Sequence, residues 1–129
     1  MKFILYFLDY FFIIFHTSLI IFNCFGWIFK KTRLLNLITL SITAFSWFIL
    51  GIWYGFGFCF CTECHWKVRE LIGYKNPYYS YIQFLLNLLF KFDLDSFLVD
   101  RVTLIVFIIS YILSIIMNIN DLRRKKIKL

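Results

Sequence analysis

Residues 102–119 read VTLIVFIISYILSIIMNI, a run of eighteen residues without a charged side chain. A helix that crosses a hydrocarbon core roughly 30 Å thick needs about 20 mostly apolar residues. The apolar segment begins at residue 97 or at residue 102, and two more apolar runs of sufficient length cover residues 3–29 and 34–58. The three runs predict three transmembrane helices.

The composition supports the same class of protein. Of the 129 residues, 62% are hydrophobic and 16% are charged, which is too apolar for a soluble globule of this size. A fourth apolar run, residues 78–90, is about half a span long, and its tyrosines Tyr78, Tyr79 and Tyr81 suit the headgroup level. We therefore expect an all-α membrane protein, a bundle of three transmembrane helices with one short interfacial helix.

The first apolar run is expected to be a retained helix. Lys2 followed by apolar residues is typical of a secretory signal, but Asp9 and His16 interrupt the run and no small-residue cleavage site follows it. The whole of residues 1–129 then forms one membrane domain.

Two basic clusters predict the orientation. One lies in the link between the first two helices and the other in a tail of residues 120–129; together they comprise Lys30, Lys31, Arg33, Arg123, Arg124, Lys125, Lys126 and Lys128. The positive-inside rule makes both cytoplasmic, and three crossings put them on the same side. The amino terminus and residues 59–96 are then outside. The net charge of +7 reports this topology and predicts no nucleic-acid partner; the tail could hold anionic lipid.

Polar residues recur inside each apolar run. In the first helix Asp9, His16 and Asn23 are spaced by seven and so share one face. The second and third helices carry similar stripes: Asn36, Thr39, Thr43 and Ser46, then Thr103, Ser110, Ser114 and Asn118. Because such side chains let helices approach and hydrogen-bond in lipid, the stripes predict a three-helix bundle.

His16 is a functional candidate because it lies near the middle of its span, where an ionisable side chain is costly. Three roles remain open for it from the sequence. It could ligate haem, relay protons, or be a neutral imidazole that bonds a threonine or serine of a neighbouring helix.

Three cysteines and a histidine, Cys59, Cys61, Cys64 and His65, fall within seven residues of the segment expected to be an exported loop. Cys61 to His65 match Cys-x-x-Cys-His, the attachment motif of c-type haem, although the exported segment offers no second axial histidine or methionine. The four residues could instead ligate zinc or iron. A third possibility is a disulfide within the loop, which an oxidising compartment permits.

At this loop the sequence resembles a family of small bacterial membrane proteins catalogued as domain of unknown function number 2784. The matching features are an early histidine in an apolar run, a glycine that ends that helix, and a Gly-x-Cys-Pro-Leu-Thr signature followed by aromatic, basic and Gly-Tyr positions. The corresponding residues here are His16, Gly26, Gly57, Cys59, Thr62, His65, Trp66, Arg69, Gly73 and Tyr74. Phe60 and Cys61 replace the proline and leucine of the signature.

The resemblance implies residence in a bacterial cytoplasmic membrane and supplies no activity. We expect a non-enzymatic accessory subunit or binding module, whose partners are the lipid bilayer and other membrane proteins or a second copy. No phosphate loop or carboxylate pair indicates an enzyme, and Glu63 and Glu70 offer no clear partner to a Cys–His pair. The alternative is a redox protein that holds haem or another metal between His16, His65 and the cysteines. The candidate functional residues are Asp9, His16, Cys59, Thr62, His65, Trp66, Arg69 and Tyr74.

Overall fold

The computed structural model describes residues 2–75 and 80–128, and the described residues that form regular structure are helical. Helix α1 covers Lys2–Phe25 and α2 covers Arg33–Tyr54. Two shorter helices follow, α3 (Phe60–Ile72) and α4 (Tyr81–Phe90), before the last helix, α5 (Ser96–Lys128). Helices α1, α2 and α5 are long and apolar enough to cross a membrane, as the sequence predicts.

The distribution of side chains is that of a protein solvated by lipid. Among the residues that the structure describes, buried polar side chains outnumber buried apolar ones: Asp9, His16, Asn36, Thr62, His65, Gln83, Ser110 and Ser114 against Leu40, Tyr81, Phe84, Val99 and Phe107. Large apolar side chains instead cover the outer faces of the three long helices, for example Ile14, Ile42 and Ile109. A water-soluble protein buries such side chains, so this surface is suited to hydrocarbon.

The polar stripes of α1 and α2 form hydrogen bonds with each other in the interior of the protein. The Asn23 amide donates to Thr43 Oγ1 at 3.2 Å, and Thr39 Oγ1 donates to Asn23 Oδ1 at 2.7 Å. A further link joins α2 to α5, where the Ser41 and Tyr111 hydroxyls lie 2.9 Å apart. Hydrogen bonds of this kind stabilise helix pairs in lipid, where no hydrophobic force acts between them.

Helix α1 ends at Phe25, one turn earlier than the apolar run, because the chain makes a corner at Gly26. The Asn36 amide crosses from α2 and donates to the carbonyl of Phe22 at 2.7 Å. The Phe22 carbonyl also accepts the backbone amide of Gly26 at 2.7 Å, so Asn36 adds a second hydrogen bond at the end of the helix. The same side-chain amide lies 3.3 Å from the carbonyl of Asn23. A Cβ on Gly26 would lie 2.8 Å from Asn36 Nδ2, so only glycine fits beneath this bond.

Helix α2 contains a π-helical segment, Phe45–Leu50, and ends at Tyr54 before Gly55, whose φ is +103°. The wider turn leaves the Trp47 carbonyl available to the amide of Gly57 at 3.4 Å. Ser46 Oγ also donates to the carbonyl of Phe58 at 2.7 Å. These two hydrogen bonds hold the segment between α2 and α3 against the π-helical segment.

The segment that we expected to be a cysteine loop is the helix α3. Cys59 is its N-cap residue, and Gly73 ends it in the left-handed conformation with φ +106°. The sequence does not indicate this helix, because its buried residues are polar and no helical repeat of apolar residues is present. The half-length apolar run forms α4, which begins at Tyr81; Tyr78 and Tyr79 lie outside the described residues.

The two ends that the charge rule places together do meet. Arg33, at the start of α2, pairs with Asp121 of α5 at 2.9 Å, and the Asn118 amide donates to the carbonyl of Arg33 at 3.0 Å. Helix α5 continues through the basic tail to Lys128, so the tail extends the last span as a helix.

Candidate functional site

The site begins with the first two members of the α1 stripe, which point into the protein. Asp9 and His16 have only 5% and 6% of their surface exposed. Helix α3 packs chiefly on this face of α1 and brings residues of the Cys59–Arg69 region to both positions. A charged or polar side chain so deeply buried needs a partner, and each finds one on or beside α3.

Asp9 is held by two residues of α3. The Nε2 atom of His65 donates to Asp9 Oδ1 at 2.7 Å, and Arg69 Nη1 lies 3.0 and 3.1 Å from the two carboxylate oxygens. His65 and Arg69 are four residues apart, so both project from one face of α3. We call Asp9, His65 and Arg69 the ion cluster.

Aromatic rings enclose the ion cluster. The guanidinium of Arg69 lies 4.6 Å from the ring centroid of Tyr74 and 4.7 Å from that of Phe84, distances at which a cation attracts an aromatic face. The fully buried imidazole of His65 stacks on Phe12 and contacts Trp66. Four predicted candidates, Asp9, His65, Arg69 and Tyr74, are therefore parts of one assembly, with Trp66 at its edge.

Burial lowers the pKa of His65 below its ordinary 6.5, and the nearby charge of Arg69 acts in the same direction. The hydrogen bond and the charge of Asp9 oppose this shift without cancelling it. The imidazole is therefore neutral at neutral pH and serves as a hydrogen-bond donor. Its Nδ1 atom is buried without a partner in the described part of the chain.

His16 has a thiol partner instead of the threonine or serine that we considered. Its Nε2 atom lies 3.8 Å from Cys59 Sγ, within hydrogen-bonding reach of sulfur. The His16 ring also stacks on the ring of Tyr81, with centroids 4.0 Å apart. The Tyr81 hydroxyl in turn donates to the Ile13 carbonyl at 3.1 Å and lies 3.0 Å from Thr17 Oγ1. The imidazole is thus held between a thiol and an anchored tyrosine.

The four residues of the possible metal set do not converge. His65 directs its Nε2 atom to Asp9, whereas Cys59 contacts His16. Among residues 2–75 and 80–128 no three or more histidine, cysteine or acidic side chains are placed to hold a metal ion. The cysteines are free thiols, and burial with the neighbouring Cys59 and Cys64 raises the pKa of Cys61 to about 12.

The Cys-x-x-Cys-His motif is likewise arranged differently from a haem attachment site. A haem iron would need a ring nitrogen of His65, yet one nitrogen bonds Asp9 and the whole side chain is inaccessible. The geometry of these residues does not fit the group.

A cavity of about 360 Å³ opens beside the His16–Cys59 pair. Its body is apolar and is formed by α1, α2 and α5 through residues that include Leu19, Leu40, Trp47, Leu104, Val106 and Phe107. Its polar side chains include His16, Cys59, Thr62 and Ser110. The volume falls in the range of ligand pockets, which are mostly apolar with a few placed polar groups.

Sequence reasoning missed two residues of the site. Tyr81 was expected only to face headgroups, but it is buried and supports His16. Ser110 was assigned to helix packing, but it also lines the cavity. The signal available for Ser110 was its position in a polar stripe, whereas nothing distinguishes Tyr81 from the other tyrosines.

Comparison with known proteins supports the resemblance seen in the sequence. Searches of curated proteins and of solved structures return no match. A family model described as Protein of Unknown function (DUF2784) matches residues 6–119, a range that includes α2, most of α1 and α5, the ion cluster and the His16–Cys59 pair. With most of its length matched, the chain belongs to the family Protein of Unknown function (DUF2784).

Proposed function

We propose that the protein is a membrane binding module that holds one neutral, long-chain lipid in the cavity between its helices. The observation that carries the proposal is the cavity itself: an apolar body at the level of the spans with His16, Cys59 and Thr62 in its wall. A hydrocarbon chain suits the apolar part of the cavity. Imidazole, thiol and hydroxyl groups suit a head that accepts or donates hydrogen bonds.

The charged residues that line the cavity favour a lipid with a neutral headgroup. Glu63 and Asp100 line the cavity, while its described lining contains no lysine or arginine. Recognition of phosphate usually relies on arginine or lysine. An acylglycerol or another long-chain ester therefore fits this wall better than an anionic headgroup.

The ion cluster supports this function from outside the cavity. It fastens α3 to α1 through Asp9, and α3 carries Cys59, Thr62 and Glu63 to the wall of the cavity. The charges of the cluster thus maintain the position of the wall without contacting the ligand.

The proposal includes an orientation. Both basic clusters face the cytoplasm of a bacterial cell, so α3 lies on the outer side and α4 lies at the interface. The exposed Leu88, Leu89 and Phe90 of α4 give it an apolar surface suited to that position.

Photolabelling tests the lipid function. The purified full chain is placed in phosphatidylcholine vesicles that contain diacylglycerol with a photoactivatable acyl chain, and crosslinked residues are mapped by mass spectrometry. We expect crosslinks at cavity residues such as Leu19 and Leu104. Ser110→Leu, at a buried residue of the lining, narrows the cavity and should reduce them several-fold, whereas Ile109→Phe, at the exposed neighbouring position, should not.

A different pattern would count against the function. Crosslinks that are spread evenly over outward-facing residues such as Ile105 and Ile112, and that do not respond to Ser110→Leu, would show that the probe merely surrounds the protein as bulk lipid.

A further inference from the structure

The Cys59 thiol has the surroundings of a nucleophile. Its sulfur lies 3.8 Å from Nε2 of His16, and both side chains line the cavity. An imidazole next to a thiol is a general arrangement for making sulfur nucleophilic, because the imidazole can accept the thiol proton. Stacking on Tyr81 at 4.0 Å fixes the ring plane of His16, which orients the nitrogen towards sulfur without a carboxylate partner.

The backbone next to Cys59 offers donors for a developing oxyanion. Cys59 is the N-cap of the thirteen-residue helix α3, and no side chain caps that end. The first amide of the helix to find a backbone partner is that of Glu63, which donates to the carbonyl of Cys59. The preceding amides of Phe60, Cys61 and Thr62 have no intrahelical acceptor. Such amides stabilise negative charge, as in an oxyanion hole.

The third requirement for acyl chemistry is a place for the chain, and the cavity provides it. Cys59 and Thr62 lie in the same wall as Phe58, and the cavity extends from there to Leu40 and Phe107 in the interior. A lipid whose chain filled the interior part would have room for its ester group at the wall that contains Cys59. The nucleophile, the base, the amide donors and the chain pocket therefore occur together.

We propose that Cys59 accepts an acyl group from a long-chain glycerol ester bound in the cavity, with His16 as the base. This inference rests on the proposed lipid-binding function. His16 takes the thiol proton while sulfur attacks the ester carbonyl carbon. A C–S bond forms, the C–O bond to glycerol breaks, and the leaving alkoxide takes the proton back from His16. A thiol and an ester thus become a thioester and an alcohol, without a change in oxidation state.

The neighbouring thiols are placed differently, which makes the inference specific. In the described residues no hydrogen bond links Cys61 or Cys64 to a histidine, and neither residue lines the cavity. Burial also raises the pKa of Cys61 to about 12, so its thiolate is scarce at neutral pH. Only Cys59, of the three, combines an imidazole partner with access to the chain.

An activated ester tests the chemistry directly. The full chain in phosphatidylcholine vesicles is mixed with p-nitrophenyl palmitate, because nitrophenolate is a good leaving group and its release is coloured. We expect a burst of colour equal to the amount of protein and an acyl group on Cys59 that neutral hydroxylamine removes. Cys59→Ala should abolish both, and Cys61→Ala and Cys64→Ala should retain them.

The role of His16 is tested by its rate effect. His16→Gln should lower the rate of acylation by about a hundredfold, the usual scale for loss of a general base. The remaining slow reaction should rise with pH as hydroxide replaces the missing base, whereas a merely structural role would leave the pH dependence of the wild type unchanged. Gel filtration and circular dichroism establish that each variant remains folded.

The natural donor is distinguished in a second experiment with alkyne-labelled acyl chains. Label on Cys59 from diacylglycerol supports the neutral donor, and label from phosphatidylcholine supports a phospholipid donor of the same ester chemistry. If lipid crosslinks in the cavity but no probe acylates Cys59, the acyl-transfer inference is wrong and the binding function stands. If Cys61 or Cys64 is labelled equally well, or Cys59→Ala retains the burst, the inference is also overturned. Failure of the cavity crosslinks themselves would remove the proposed function on which it rests.

Discussion

At the scale of single residues, the members of the ion cluster are candidates in the sequence for different reasons. Asp9 interrupts an apolar run, where an ionisable group is costly, whereas His65 belongs to the Cys-x-x-Cys-His motif and Arg69 matches a basic position of the family. Their meeting cannot be inferred in the same way. Asp9 and His65 are 56 positions apart along the chain, and their contact depends on the register between two helices, one of which has no apolar period.

The ion cluster makes a first prediction about stability. Asp9→Asn keeps the shape of the side chain but removes the carboxylate charge that the largely buried Arg69 contacts, so we expect a loss of about 3 kcal/mol in the free energy of unfolding. The measurement is an SDS titration in mixed micelles followed by far-ultraviolet circular dichroism. Asp93→Asn, an exposed residue between α4 and α5, is the matched control and should cost little.

Replacing both partners separates the ion pair from simple packing. Arg69→Met in the Asp9→Asn background should recover part of the loss, because both charges of the pair are then removed. A double-mutant cycle with no coupling between the two positions would show that the pair does not stabilise the fold.

A second prediction concerns pH. The pKa of His65 is lowered in the folded protein chiefly by burial, so below about pH 6.5 the unfolded chain binds a proton that the folded chain does not. Stability should therefore fall as the pH is lowered from about 6.5 towards the folded pKa. The SDS midpoint measured across this range should fall more steeply for the wild type than for His65→Gln.

The control for the pH experiment is an acidic residue of the same helix. Glu70 is exposed on α3, and Glu70→Gln should leave the slope of the wild type in place. Equal slopes in the wild type and His65→Gln would mean that His65 does not couple folding to protons.

At the scale of elements, the three spans follow from the sequence because length and apolarity are sufficient to define them. Helix α3 does not, because it buries Thr62 and His65 in place of an apolar stripe. Only its carboxyl-terminal end carries a signal, because Gly73 adopts a left-handed conformation that glycine tolerates best. Cys59 at the N-cap gives none, since cysteine is not among the residues preferred there and its side chain caps no amide. The cysteine density of the segment indicated metal chemistry instead.

The corner between α1 and α2 supplies a prediction at this scale. A methyl group on Gly26 would lie 2.7 Å from the Phe22 carbonyl oxygen and 2.8 Å from Asn36 Nδ2. Gly26→Ala must therefore displace the Asn36 side chain, which donates a hydrogen bond to the end of α1. We expect a loss of about 1–3 kcal/mol in the free energy of unfolding. The same SDS titration measures the change.

Gly51→Ala is the comparison, because Gly51 has helical backbone angles and an added Cβ would lie no closer than 3.2 Å to a neighbouring atom, the Phe56 Cα. It should cost less than Gly26→Ala. The opposite order would mean that the corner adjusts easily and that Asn36 contributes little to it.

At the scale of the whole molecule, charge and span number together predict a geometry that the structure supports independently. The link after α1 and the tail of α5 are far apart in sequence, yet Arg33 pairs with Asp121, so both basic clusters lie at one end of the protein. The cavity could not be predicted in this way. It depends on how closely three helices approach, which hydropathy does not encode.

The orientation of that assembly in the membrane is the last prediction, and it follows from the position of the two ends. Lys31 lies in the basic link and Lys75 follows α3, and both side chains are exposed. In a variant whose four natural cysteines are replaced by serine, Lys75→Cys should react with a membrane-impermeant maleimide in intact cells from which any outer membrane has been removed. Lys31→Cys should react only after the membrane is opened, because the positive-inside rule places the link in the cytoplasm. The reverse labelling pattern would mean that the protein has the opposite orientation in the membrane. The Cys59 end of the cavity would then lie on the cytoplasmic side, where a soluble acyl donor could reach it.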